Sequence, residues 1–406
     1  MAAAGFGVTL YLAGGGSAGL NLAHALLQSP LRERSILIVD QDAKETNDRT
    51  WCSWLVGPHP FEPLLYASWE RLRFTGGGYD AILPLAPYRY TMLRGLDLYA
   101  YSRETFAALP NVTRLQGHIE SVADGSSGAE VVVDGRAFTA DWAFDSRWLW
   151  REYTPAVVAA AAGLPPQATR RYHYLQQHFL GWEIETETPC FDPQSVTLFD
   201  FRTPQRDALG WDGMRFMYIL PFSERRALVE FTLFSARLLS QADYETALRD
   251  YIRDVLGVYD FRVVATEDGV IPMTDQPFPR RAGRAVMRIG TRGGRVKGSS
   301  GFAFLRTAQD SRAIVRSLAA HGHPFDVPAS PGRYHLFDSL LLQILYRRGD
   351  LAERIFADLF SKNPLDRLLR FLDEEGPPGE NLQLMATVPP VPFIAAWMRL
   401  KLLRRV

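Results

Sequence analysis

"VTLYLAGGGSAGLNLAHALLQSPLRERSILIVD", residues 8–40, decides the fold. "VTLYLAG" (8–14) is a continuous apolar run of strand length, "LNLAHALLQS" (20–29) has helical apolar spacing, and "SILIVD" (35–40) is a second buried strand. Between the first strand and the helix, "GGGSAG" places Gly14, Gly16 and Gly19 in a Gly-x-Gly-x-x-Gly pattern, and the second strand ends in Asp40. The pattern alone is weak, but strand, glycine turn, helix and acid-ended strand together meet a mechanical requirement. The glycines let the backbone approach a pyrophosphate, the helix N-terminus favours its charge, and the acid can reach ribose hydroxyls.

Outward from this unit, "LDLYAYSRETFAAL" (96–109) repeats the helical spacing and Pro110 stops it. "VTRLQG", "HIESVAD", "AEVVVDG" and "DWAFDS" read as short strands, with "DGSSG" (124–128) and Asp134-Gly135 as hairpin turns. A second glycine-rich loop, "RIGTRGGRVKGSSGFAF" (288–304), runs into a helix. A fingerprint at the start and such a loop near the end suggest a flavin-adenine cofactor held at both ends. Gly290, Gly293, Gly294 and Ser299 are its candidate contacts, and Arg292, Arg295 and Lys297 could help neutralise its phosphate or an anionic flavin.

From about 170 to 265 the texture changes to aromatic, strand-like segments, followed by one amphipathic helix at 241–257; helical patterns dominate from 331, broken by "DEEGPPGEN" (373–381). The expected fold is therefore α/β: a Rossmann-like FAD-binding domain with an inserted, mainly antiparallel β-sheet substrate domain and a helical C-terminal region. The expected borders are 1–75, 95–170 and 266–330 for the FAD-binding domain, 76–94 and 171–265 for the substrate domain, and 331–406 for the C-terminal region.

Within the sheet segment, "LVEFTLFS" (228–235) places Glu230 among carbon side chains. A buried, unpaired carboxylate is costly, so such a group shifts its pKa and stays protonated, or pairs with a cation such as Arg225. Strand alternation puts Leu228, Glu230, Thr232 and Phe234 on one face and Val229, Phe231 and Leu233 on the other. His173 and His178 sit nearby among aromatics and could shuttle protons, although a lone strand histidine is more often structural.

Composition bounds the rest. The 406 residues carry zero formal net charge, which argues against nucleic-acid binding. Two cysteines outside any CxxC pattern argue against a zinc site or a disulfide framework, and no metal is expected. The N-terminus lacks the basic start of a signal peptide, and no apolar window, "PAVVAAAAGL" (155–164) included, is long enough to span a bilayer. "FIAAWMRLKLLRRV" (393–406) joins an apolar face to Arg399, Lys401, Arg404 and Arg405, a composition suited to an interfacial helix on anionic lipid or to a packed terminal helix with a solvated basic end.

The chain resembles the bacterial flavoprotein-type lycopene β-cyclases. The likeness rests on the opening "LAGGGSAGLNLAHAL…ILIVD", "NDRTWCSW" (47–54), "FDSRW" (144–148), "MYILPFSERRALVEFTLFS" (217–235), "GVIPM" (269–273), "IGTRGGRVKGSSGFAF" (289–304) and "LQLMATVPPVPFIAAW" (382–397), in order along the chain. It implies a catalytic Glu230 and adds Ser17, Arg94, Asp145 and Arg147 to the FAD contacts. It also implies reduced FAD as the active form, NADPH or NADH as reductant, and lycopene or another linear carotenoid as substrate. The implied place is cytoplasmic and peripheral on the inner face of the cell membrane, where partners could include other carotenoid enzymes. The implied reaction is a proton-initiated isomerisation of lycopene end groups to β-ionone rings, yielding γ- and β-carotene, started by Glu230 or the flavin. Two departures stand out. Many family members have a second acid after the glutamate, where this chain has Phe231, and the Gly-Asp of related flavin hydroxylases is here Gly290-Thr291. The rivals are a flavin-dependent hydroxylase or polyprenyl reductase, and a non-catalytic carotenoid-binding flavoprotein.

Overall fold

The computed structural model describes residues 8–59, 61–148, 172–205 and 213–403. The apolar stretch 155–164, the end of the expected FAD-binding segment, and Arg404 and Arg405 lie outside them.

Numbered along the chain, the strands among the described residues form three sheets. The first has the order β8 (Val112–Gln116), β2 (Ile36–Asp40), β1 (Val8–Ala13), β11 (Arg136–Asp145), β10 (Ala129–Val133), β9 (Ile119–Asp124), with β17 (Val286–Arg288) also paired to β11. β8, β2, β1, β11 and β17 run parallel, and β9 to β11 form an antiparallel meander. Helices α1 (Ser17–Leu27) and α4 (Phe304–His321) pack together over one face, while Tyr11, Val39, Val131 and Ala143 fill a separate core on the other. Burial on both faces is why these parallel strands are apolar without alternation. Helix α1 opens at Ser17, inside the glycine motif and three residues before the apolar spacing begins. Asp134 and Gly135 both have positive φ, at 47° and 72°, as the tight β10–β11 hairpin demands.

The second sheet has the order β16 (Phe261–Thr274), β12 (Tyr174–Thr186), β15 (Arg226–Ser235), β14 (Met214–Ser223), β13 (Ser195–Asp200), β5 (Arg71–Gly76), β6 (Tyr79–Pro84), antiparallel except for β13 with β5. A small third sheet, β3 (Thr50–Leu55), β7 (Arg89–Arg94), β4 (Leu65–Trp69), joins the two regions. Strand membership can be set beside the expected borders. β5 belongs to the second sheet, which therefore begins at Arg71, whereas β7 pairs within the third sheet. β16 runs unbroken across the expected border at 265/266, because its ladder with β12 continues to Thr274.

Each face of the second sheet has its own cover. Val229, Phe231 and Leu233 pack under helix α3 (Gln241–Asp254), which starts at a capping box between Ser240 and Asp243. Leu228 and Phe234 on the opposite face join Leu342, Phe356, Phe360 and Leu368. Those residues come from α5 (Gly332–Arg348), α6 (Ala352–Lys362) and α7 (Leu365–Leu372). α2 (Gly95–Ala107), α8 (Pro378–Met385) and α9 (Pro390–Met398) complete the α-helices among the described residues. Pro378 occupies the first position of α8, where the missing N–H costs nothing, so part of the expected loop 373–381 is helical.

Candidate functional site

Two sites lie next to each other. The first is the turn after β1. Gly14 has φ +113°, and a Cβ there would fall 2.2 Å from the Ser146 hydroxyl; a Cβ on Gly19 would fall 2.0 Å from the Gly14 carbonyl oxygen. Gly16, by contrast, faces open space. It is also the N-cap of α1, with no side chain to cap the helix and no acidic residue in the first turn, so the N–H groups at Ser17 have no capping side chain from the helix itself. Asp40 sits beside this turn and accepts the N–H of Gly15 at 2.6 Å and that of Asp42 at 2.9 Å. Gly290 brings the second glycine loop onto the same turn, since a Cβ on it would lie 2.7 Å from Ala18 Cβ. Gly293 passes close to the Arg288 carbonyl, and Gly294 takes φ +71°.

The other expected cofactor residues are held by protein partners. Arg147 grips Asp145 through Nε at 2.9 Å and a terminal nitrogen at 3.0 Å, and Arg292 reaches the same carboxylate at 2.5 Å. This clamp, half-buried at its arginines and buried at Asp145, closes the ends of β11 and β17. Arg295 lies 3.6 Å from Asp310, and Lys297 pairs with Asp338 and Glu374 at 2.9 and 3.0 Å. Ser299 donates to Asp338 at 2.6 Å and lines the cavity described below, as does Thr291. Arg94 forms a bidentate pair with Asp97 and stacks on Tyr66; its neighbour Arg49 reaches the cavity wall.

The second site is a cavity of about 380 Å³ between the second sheet and the C-terminal helices, within the size range of small-molecule sites. Its wall is mostly carbon, with Trp54, Phe199, Phe216, Phe302 and Phe371 among the lining side chains. Leu228, Glu230, Thr232 and Phe234 all line it, the face that strand alternation predicts. Glu230 is 7% exposed. It accepts the Thr232 hydroxyl at 2.5 Å. Burial pushes its carboxyl up to about 8, the nearby Glu267 charge adds to the rise, and the Thr232 hydrogen bond opposes it. Arg225 stands exposed in the β14–β15 turn, and Arg226 pairs with Glu183.

Cross-strand register builds a polar row around Glu230. Its partner on β14 is Tyr218 and its partner on β12 is Gly181, whose partner on β16 is Glu267. Tyr218 and Tyr90 join hydroxyl groups at 2.9 Å, and burial pushes the phenol pKa of each well up. Burial likewise pushes the adjoining Cys52 thiol up to about 12. Glu267 accepts the Thr50 hydroxyl at 2.6 Å. None of Tyr218, Tyr90, Thr50 or Glu267 is singled out by the sequence. The polar break "TED" (266–268) before "GVIPM" is the available signal for Glu267. Neither His173 nor His178 lines the cavity: His173 bridges Asp275 and Gln343 at 2.9 Å each, and His178 lies between Ser235 and Tyr244.

Comparison with known proteins matches this architecture. A sequence profile described as "Lycopene cyclase protein" matches residues 10–398, nearly the whole chain. The chain belongs to the lycopene cyclase family. Among curated proteins, the lycopene beta-cyclase of a Paracoccus species is 26% identical over 248 residues, covering 58% of this cyclase-family chain. The match spans 62% of that relative's length. Among solved structures, a geranylgeranyl bacteriochlorophyll reductase-like protein from Thermoplasma acidophilum superposes with a TM-score of 0.58 at 12% identity, covering 95% of this chain and 98% of that one. HpxO from Klebsiella pneumoniae, solved as a variant complexed with FAD, gives 0.53 at 14% identity over 94% and 100%. This lycopene cyclase family member thus shares its α/β fold, from Rossmann-like sheet to helical C-terminus, with proteins of other names. No helix among the described residues is long and apolar enough to cross a membrane.

Proposed function

We propose that the protein is an isomerase, a lycopene β-cyclase that closes linear carotenoid end groups into β-ionone rings without net oxidation. The observation that carries this reading is Glu230: a buried carboxyl, raised to about 8 by desolvation, facing an aromatic, carbon-lined cavity. Such a group is protonated at neutral pH and can give its proton to a terminal double bond. The resulting tertiary cation is attacked by the next double bond, and the ring then loses a proton. Aromatic faces around the cavity attract that cation by about 0.5–2 kcal/mol each, and the apolar wall keeps water from quenching it.

FAD fits the first site. The open approach at Gly16, the uncapped start of α1 and the strand-end Asp40 suit a pyrophosphate and a ribose. Ser17, Gly14, Gly19, Gly290, Gly293 and Gly294 would shape its bed, Asp145 and Arg147 would fix the strand ends beneath it, and Ser299 would face it from the cavity. Arg94 would act at longer range, through the α2 N-terminus. Bound in reduced form and replenished by NADPH or NADH, flavin would supply negative charge beside the developing cation.

The substrate reading also fits the C-terminal helices. Leu384, Met385, Val388 and Phe393 line the cavity, while Leu382, Val391, Ile394, Trp397 and Leu402 of the same segment are exposed. That outer face, with Arg399 and Lys401 beside it, suits peripheral docking on an anionic bilayer from which a carotenoid is drawn. The test is incubation of purified protein with lycopene in liposomes, FAD and reduced nicotinamide. Isomeric, ring-bearing product with no stoichiometric loss of reductant is expected. Consumption of one reductant or oxygen per product would favour a reductase or hydroxylase, and unchanged lycopene would favour a carotenoid carrier.

A further inference from the structure

We infer that Glu267 is the base of the reaction: the carboxylate that takes the proton the new ring must lose, while Glu230 gives the proton that starts closure. The inference rests on the cyclase reading above. Its ground is the row across the sheet. Glu230 and Glu267 are the two register partners of Gly181, one on each side, so both point into the cavity from one face. Strand spacing sets their Cα atoms roughly 10 Å apart. The residue between them is glycine and contributes no side chain of its own. A Cβ there would press to 3.0 Å from Leu228 Cδ1 and 3.3 Å from Glu230 Cβ. Gly181 thus lets the Leu228 and Glu230 side chains lie close over the strand between the two carboxylates.

Their surroundings divide the labour. Glu230 accepts one hydroxyl, from Thr232. Burial raises the Glu267 carboxyl above its ordinary value and the Asp268 charge adds to the rise, but the hydroxyl and the backbone of Thr50 both donate to it and the Arg49 guanidinium favours its charge, three supports against the single one at Glu230. The other titratable groups facing the pair are Cys52 from β3, Tyr90 from β7 and Tyr218 from β14, all of which burial keeps neutral. The less supported carboxyl is the acid, and the better supported one is the base.

The chemistry needs two positions. A C–H bond forms at one carbon, a C–C bond closes the ring, and a different C–H bond breaks on a carbon beside the ring cation. Two double bonds become one double bond and one ring bond, and the proton passes from Glu230 to substrate and from substrate to Glu267. Exchange with water resets both groups, with no oxidant or reductant consumed. Three carbons flank that cation, so the position of the base determines where the double bond ends up.

The experiment compares wild type, Glu230→Gln, Glu267→Gln and Glu267→Asp on lycopene in liposomes, reading rate, ring isomers, flavin content and pH profile. Glu267→Gln should lower ring formation about 100-fold or more while flavin stays bound. Residual product should carry displaced double bonds, the acid-side limb of the profile should vanish, and Glu267→Asp should restore part of the rate. Wild-type rate and a single wild-type product from Glu267→Gln would overturn the proposal. If Glu267→Gln fails to fold, Thr50→Val keeps the carboxylate and removes its hydroxyl donor. The acid-side limb should then move to higher pH, and an unmoved limb would overturn the assignment. Absence of any ring product from wild type would instead sink the cyclase reading itself.

Discussion

Asp40 and Glu230 are both strand carboxylates next to a critical glycine, yet they are built for opposite work. Asp40 ends its strand, and both its oxygens take main-chain N–H groups, from Gly15 and Asp42. Glu230 lies mid-strand, where every main-chain N–H belongs to the ladder, so a single hydroxyl is left to reach it. The glycines differ in the same way. Gly16 opens outward to a space that protein atoms do not fill, whereas Gly181 lies between two acids and is closely covered by Leu228 and Glu230. Position in the strand, more than residue type, decides whether a carboxylate serves as an anchor or as an acid.

The sharpest way to break this contrast is to remove the acid alone. Glu230→Gln keeps shape and loses the proton, so ring formation should fall by about 10²–10⁴-fold while flavin content is unchanged. Flavin absorbance of the purified variant, measured beside its product profile, checks both halves. Loss of flavin together with activity would mean the two regions are not separable.

The glycine turn gives the next test, within one motif. Gly19→Val pushes a side chain against the Gly14 carbonyl and should destabilise the protein by about 1–3 kcal/mol, read as a lower thermal midpoint. A Cβ at Gly16 meets no protein atom, so Gly16→Ala should cost apo stability only through the poorer N-cap, about 1 kcal/mol or less. FAD affinity should nonetheless fall about tenfold or more, near 1.4 kcal/mol. Equal effects at both positions would remove the case for a ligand at Gly16.

These contrasts were unevenly legible in the sequence. The glycine turn, the parallel strands around it and the face of Glu230 follow from local periodicity, because contacts along one strand or one turn are fixed by short spacing. Glu267 and Gly181 gain meaning from register between strands, and Thr50 reaches Glu267 across 217 positions of chain. Nothing local encodes that meeting. The expected border at 75/76 shows the same dependence: it falls inside β5, whose place in the second sheet comes from pairing with β13, far along the chain. Arg292, Arg295 and Lys297 look like phosphate ligands in a basic loop, and the fold supplies each with a carboxylate from elsewhere.

The acid's titration should appear in the rate. If Glu230 is the proton donor proposed above, it works only when protonated, so kcat/KM should be insensitive to this group below about 8 and fall about tenfold per pH unit above it. Stability carries the matching sign. The folded carboxyl holds its proton more tightly than the unfolded one, whose ordinary value is 4.5, so this group's contribution declines as pH rises from 4.5 to about 8. A rate profile lacking a fall near 8 would assign the proton to another donor.

The smallest effect isolates the one hydrogen bond that separates Glu230 from an unsupported acid. Thr232 donates its hydroxyl to the carboxyl and so favours the ionised form, pulling the pKa down against burial. Thr232→Val keeps the branched shape on a strand that suits it and removes that donor. The alkaline limb should therefore move to higher pH, by less than about one unit, since a single hydrogen bond contributes about 1 kcal/mol net. At pH 7 the rate should barely change, because the acid is already protonated there in both forms. A limb moving to lower pH would mean that Thr232 supports the neutral acid instead, with the carboxyl donating to the hydroxyl. The contrast with Asp40 would then rest on burial alone.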